Sequence, residues 1–114
     1  MSAEGTQVRV ALVSVPDEAA GRVLARTLVE QGLVACGTVI PGATSIYVWK
    51  GEVCEAAEAV LLLKLPASGV EALLERLPAL HPYEVPELLV LPVTEGHRPY
   101  LAWVEQSVGG GLGA

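Results

Sequence analysis

His81 opens the run His81-Pro82-Tyr83-Glu84-Val85-Pro86-Glu87, which sets an imidazole and two carboxylates close together. An imidazole with nearby carboxylates suits copper or zinc, and a thiolate such as Cys36 would add a soft ligand. His81, Glu84 and Cys36 are therefore the candidate metal ligands. The spacing carries no CxxC, HxxxH or HExxH pattern, and His97 is the only other histidine. A second reading of His81 is structural, with the ring hydrogen-bonded so as to fix the turn at Pro82. No catalytic group stands out. Ser45 lacks a G-x-S-x-G setting, and no nucleophile–base pair or cofactor fingerprint is visible, so the sequence reads as that of a non-enzyme. Asp17, the single aspartate, stands where it would cap a helix.

The elements that must position these residues follow from periodicity and turn chemistry. Val8–Val15 is rich in β-branched residues and reads as a strand. Pro16-Asp17-Glu18 then opens a helix whose buried positions are Ala20, Val23, Leu24, Thr27 and Leu28, and Gly32 supplies a left-handed cap. Residues 33–65 read as one long antiparallel hairpin, bent by a bulge at Pro41-Gly42 and turned at Lys50-Gly51. Ser68-Gly69-Val70-Glu71 has capping-box spacing for a second helix. Its stripe is Val70, Leu73, Leu74 and Leu77, and Pro78 limits its length. Residues 87–93 form the next strand, and Pro99 begins a closing helix through Tyr100, Leu101, Trp103 and Val104. The order is β-α-β-β-α-β plus a helix, an α+β domain of ferredoxin-like type. One domain over 8–108 is expected, with flexible termini at 1–7 and 109–114.

On this register Cys54 lies three residues past the turn and Cys36 fourteen before it. At roughly 3.3 Å per residue the two are too far apart for an intrachain disulfide.

Composition bounds the partners. The 114 residues are 52% hydrophobic with a net charge of −6, and the seven basic residues are scattered. No stripe of them could neutralise successive phosphates, which argues against nucleic acid. No apolar run approaches the ~20 residues that cross a bilayer, which argues against a membrane-spanning helix. Without a leader-like start, the expected setting is the cytoplasm. Val60-Leu61-Leu62-Leu63 and Leu88-Leu89-Val90-Leu91 are apolar at every position. Successive side chains of a strand point to opposite faces, so these strands are apolar on both. Three short helices cannot shelter both faces, and further copies of the chain are the simplest cover. Tyr47, Trp49, Leu89 and Leu91 are the expected interface residues. Lys64 interrupts the apolar run and needs water or a counter-ion. Alternatively it lines a cleft between subunits with Tyr83, Glu87 and Trp49, ready for a small anion.

Several segments, taken together, resemble the CutA divalent-cation-tolerance family: Leu33-Val34-Ala35-Cys36, residues 40–47 (Ile-Pro-Gly-Ala-Thr-Ser-Ile-Tyr), Trp49-Lys50-Gly51, the run from His81, Leu91-Pro92-Val93 and Tyr100-Leu101-Ala102-Trp103. The match spans residues 8–108. The resemblance implies a homotrimer of ferredoxin-like subunits, cytoplasmic, and linked to copper and other divalent cations, bound weakly if directly and not as an essential cofactor. It also implies similarity in architecture to PII-like regulatory trimers, and with it the alternative of a small anionic ligand in intersubunit clefts. Val13 and Leu80 stand where members discussed as copper binders carry a cysteine and a paired histidine.

Overall fold

The computed structural model describes residues 5–108, so the tail expected at 109–114, and residues 1–4 of the one expected at 1–7, lie outside the described residues. The elements run β1 (Val8–Val15), α1 (Glu18–Glu30), β2 (Cys36–Trp49), β3 (Glu52–Pro66), a 3-10 turn (Ala67–Gly69), α2 (Val70–Leu80), β4 (Leu88–Pro92) and α3 (Arg98–Gln106). The four strands form one antiparallel sheet in the order β2-β3-β1-β4. That order places the two crossover helices on one side, which is the ferredoxin-like arrangement.

Local chemistry accounts for the boundaries. Asp17 accepts a hydrogen bond from the Ala20 amide at 2.8 Å and so caps α1. At the other end Gly32 takes φ 72°, its N–H reaches the Val29 carbonyl at 3.0 Å, and that of Leu33 reaches Leu28 at 2.9 Å. This pair of bonds satisfies carbonyls the helix itself leaves free. Lys50 and Gly51 both adopt positive φ, the requirement of a two-residue turn that matches strand twist. The register slips between Ile40↔Val60 and Ala43↔Glu58, so β2 carries one extra residue at Pro41-Gly42.

Two expectations fail locally. Ser68 does not cap α2, because it is wound into the 3-10 turn and Gly69 holds the cap position without a side-chain bond. Leu74 is 46% exposed and Val23 68%, because the sheet meets each helix along a stripe narrower than periodicity alone suggests. Pro78 lies inside α2, which ends two residues later at Leu80. The chain is also held before Val8: Thr6 bonds the Val93 carbonyl through its N–H and hydroxyl, and the Gln7 carbonyl accepts from Ala67.

The core lies between the sheet and α1 and α2. Ala11, Val13, Val15, Ala59, Leu61, Leu63 and Leu65 point into it and are fully buried, together with Leu28, Leu73 and Leu77. Gly21 lets α1 lie close, since a Cβ there would meet Leu61 and Val39 at 3.1 Å. On the opposite face α3 covers only one end, through Val8, Ala35 and Val104.

Candidate functional site

Directly opposed residues of an antiparallel pair share a face, so the register reads out the face that α1 and α2 leave open. One row across it is Leu89, Leu12, Leu62 and Thr38; the next is Leu91, Val10, Lys64 and Cys36; a third holds Ser14, Val60 and Ile40. Leu89, Leu91 and Ile40 are exposed. The expected two-faced apolar sheet is therefore present.

Beyond the bulge the hairpin continues as an arm. Ala43, Ser45, Tyr47 and Trp49 share one side of it with Glu58, Ala56, Cys54 and Glu52, and Ile46, Val48 and Val53 occupy the other. Its large side chains on both sides are exposed, Trp49 by 63% and Val53 by 74%.

Two polar constellations interrupt this surface. In the first, Lys64 donates from Nζ to the Thr38 hydroxyl at 2.7 Å and to the Leu62 carbonyl at 3.2 Å. Beside it, Cys36 Sγ lies 3.5 Å from the Tyr100 hydroxyl on α3. The hydrogen bond with Cys36, followed by partial burial, pushes Tyr100 up to about 12. Among the described residues no carboxylate pairs with Lys64.

The second constellation is built on the loop between α2 and β4. His81 is buried, its Nε2 is 2.7 Å from the Ser14 carbonyl, and its Nδ1 accepts the Tyr83 N–H at 3.0 Å. An acceptor Nδ1 places the ring proton on Nε2, which donates to Ser14. Tyr83 packs on the His81 ring at 4.9 Å between centroids and donates its hydroxyl to Glu58 at 2.8 Å. Burial first, and the Glu58 carboxylate second, push the Tyr83 hydroxyl up to about 12.

The three candidate metal ligands do not converge within the chain. Both ring nitrogens of His81 are used by protein groups, so a metal could enter only by breaking one of those bonds. Glu84 is exposed. Cys36 faces Lys64, whereas His81 bonds Ser14, the partner of Val60, four residues further along β3 and roughly 13 Å away. Among the described residues no group of three or more His, Cys, Asp or Glu side chains could hold a metal ion. Within a single chain these donors, among the described residues, do not assemble a cation site.

Lys64, Tyr83, Glu87 and Trp49 do not form a cleft in a single chain either. Trp49 pairs with Glu52, twelve residues along β3 from Lys64, roughly 40 Å. An open groove of about 680 Å³ between α1 and β2, lined by Val23, Val29, Gly37 and Val39 among others, contains none of them. Cys36 and Cys54 are free, as their separation requires. Sequence reasoning missed Thr38, Glu58 and Tyr100 as partners. For Glu58 a signal existed: it is in step with Leu62 and Lys64 on the open side of β3.

A family model described as CutA1 divalent ion tolerance protein matches residues 9–107. The divalent-cation tolerance protein CutA of Thermus thermophilus is 48% identical over 100 residues, covering 88% of this chain and 97% of the relative. Among solved structures, CutA from Xylella fastidiosa superposes with a TM-score of 0.88 at 36% identity, over 91% of this chain and all of the other. A protein described as PII-like, CutA from Nostoc sp. PCC 7120 in apo form, superposes with a TM-score of 0.82 at 41% identity, over 89% and 97% of the two chains.

Proposed function

Because the chain belongs to the CutA divalent-ion-tolerance family, we propose that it acts in the cytoplasm as a homotrimer supporting tolerance of divalent cations, copper among them. The observation that carries the trimer is the open face. Val10, Leu12, Val60 and Leu62 are only partly sheltered, while Ile40, Leu89, Leu91 and the arm side chains are exposed. An apolar layer of this extent is stable in water when a second protein surface covers it. Tyr47 and Trp49 extend that surface along the arm, and aromatic residues are favoured at interface centres.

The tolerance role is not routed through a common site of His81, Glu84 and Cys36, for the geometric reasons above. Sedimentation at micromolar concentration tests the assembly. A species of three times the 11.9 kDa chain mass is expected, and Leu89→Asp should dissociate it. A folded single-copy species would overturn the reading.

A second reading has its own support. Lys64 is a half-buried cation with only neutral oxygen partners among the described residues, an arrangement that favours an anion. The Nostoc relative is described as PII-like. On this reading a small anionic ligand lies between subunits, with Lys64 as its anchor and Tyr83, Glu87 and Trp49 contributed across the seam. A thermal-shift screen of small carboxylates and phosphates tests it. Stabilisation that disappears in Lys64→Ala is the expected result, and stabilisation that persists in the variant would remove Lys64 from the site.

A further inference from the structure

The hydrogen bonds of the loop at 81–87 form a continuous path from the middle of the sheet to the root of the arm. It starts at the Ser14 carbonyl on β1, passes through both nitrogens of His81 to the Tyr83 backbone, and ends with the Tyr83 hydroxyl on Glu58. Glu58 occupies a particular place in the fold. The last residue of β3 paired with β1 is Ala59, opposite Val15, and Ala43↔Glu58 is the first β2–β3 pair beyond the bulge. Glu58 is therefore the residue at which β3 leaves the support of β1.

At the same level β2 has lost its own ladder. Pro41 has no N–H to give, and Gly42, at φ 80°, meets nothing within 4 Å of where a Cβ would stand. A bulge bends the strand that carries it but does not by itself fix the angle of the residues beyond it. Further out, Ile46, Val48, Trp49 and Val53 are exposed, so little of the chain's own packing holds the arm.

We propose that His81 and Tyr83 are positioning residues, forming a strut that sets the angle of the hairpin arm where β3 leaves the sheet. The bond to Glu58 is the terminal joint of that strut. Tyr83 reaches it because the His81 ring holds the preceding backbone by one nitrogen and β1 by the other. His81 is thereby committed to the strut through both nitrogens.

Hydrogen–deuterium exchange of the protein as purified, in its own oligomeric state, tests this. Tyr83→Phe keeps the ring and removes only the joint. Amides at 43–49 and 52–58 should exchange about tenfold faster, the scale expected for one lost hydrogen bond to a charged acceptor, while those at 10–14 and 60–64 should stay near wild type. Glu58→Ala should reproduce this pattern, and Glu58→Gln, which keeps an acceptor oxygen, should lie closer to wild type. Tyr100→Phe, which removes a hydroxyl at the other end of the open face, should leave the arm unchanged. Equal acceleration of arm and sheet in Tyr83→Phe and Glu58→Ala would reduce the contact to a general stabilising one, and unchanged arm exchange in both would eliminate the strut. Neither result bears on whether the protein is a trimer.

Discussion

Alternate residues of the same strands live in two environments. Along β3, Ala59, Leu61, Leu63 and Leu65 are fully buried under α1 and α2, whereas Val60, Leu62 and Lys64 between them look onto the open face. The side chains are nearly interchangeable in kind, so local chemistry does not distinguish the faces. What distinguishes them is which side the crossover helices occupy, and a four-stranded sheet with two such helices has a side they leave uncovered. The difference teaches that the helix-covered face supplies the stability of the single chain, while the open face awaits what the chain does not provide alone.

The largest test of that division compares neighbours. Leu63→Ala should cost about 2–5 kcal/mol in denaturant unfolding, because it leaves a cavity in a close-packed core. Leu62→Ala should mainly weaken assembly, read as a midpoint that depends more strongly on protein concentration. Equal, concentration-independent losses would break the comparison. Asp17→Ala loosens the first turn of α1, on the covered side, and should cost about 1 kcal/mol without altering the sedimenting species. Lys64→Met, on the open side, should shift unfolding by about 0.5 kcal/mol or less, since its partners there are neutral oxygens.

The next effect concerns pH. Tyr83 and Tyr100 have folded values raised from 10.0 to about 12. A raised value means that the folded state holds the proton more tightly, so the linked stability is fully present below pH 10 and is lost as pH rises from 10 to 12. Tyr83→Phe should flatten that decline in thermal unfolding, and an unchanged decline in the Tyr83→Phe, Tyr100→Phe double variant would remove both hydroxyls from the account. The smallest expected effect is none at all. Calorimetric titration of copper(II) or zinc(II) should give the same heats for wild type and His81→Gln, and a binding isotherm lost in the variant would restore His81 as a ligand.

Much of the fold was legible because its signals are local. The β-branched run of β1, the Asp17 cap, Gly32, the Lys50-Gly51 turn and the bulge at Pro41-Gly42 each act through residues a few positions apart. The capping box at Ser68 misled for the same reason: its spacing suits a helix start, but a 3-10 turn took the serine first. The open face was legible from runs that are apolar without alternation. The polar constellations were not, since their bonds join residues far apart in the chain. His81 meets Ser14 across 67 positions, Cys36 meets Tyr100 across 64, and Tyr83 meets Glu58 across 25. Periodicity can place such residues on a face, but only the register brings them into contact.

The extra residue in β2 carries a consequence for any partner of the arm. Up to Ile40 the even-numbered side chains of β2 look onto the open face, and from Ala43 the odd-numbered ones do. Deleting Gly42 would remove the bulge and leave Tyr47 and Trp49 where they stand, whereas pairing without a bulge while Gly42 remains would turn the arm inside out and present Ile46 and Val48 in their place. The bulge thus decides whether a neighbour is offered an aromatic or an aliphatic surface.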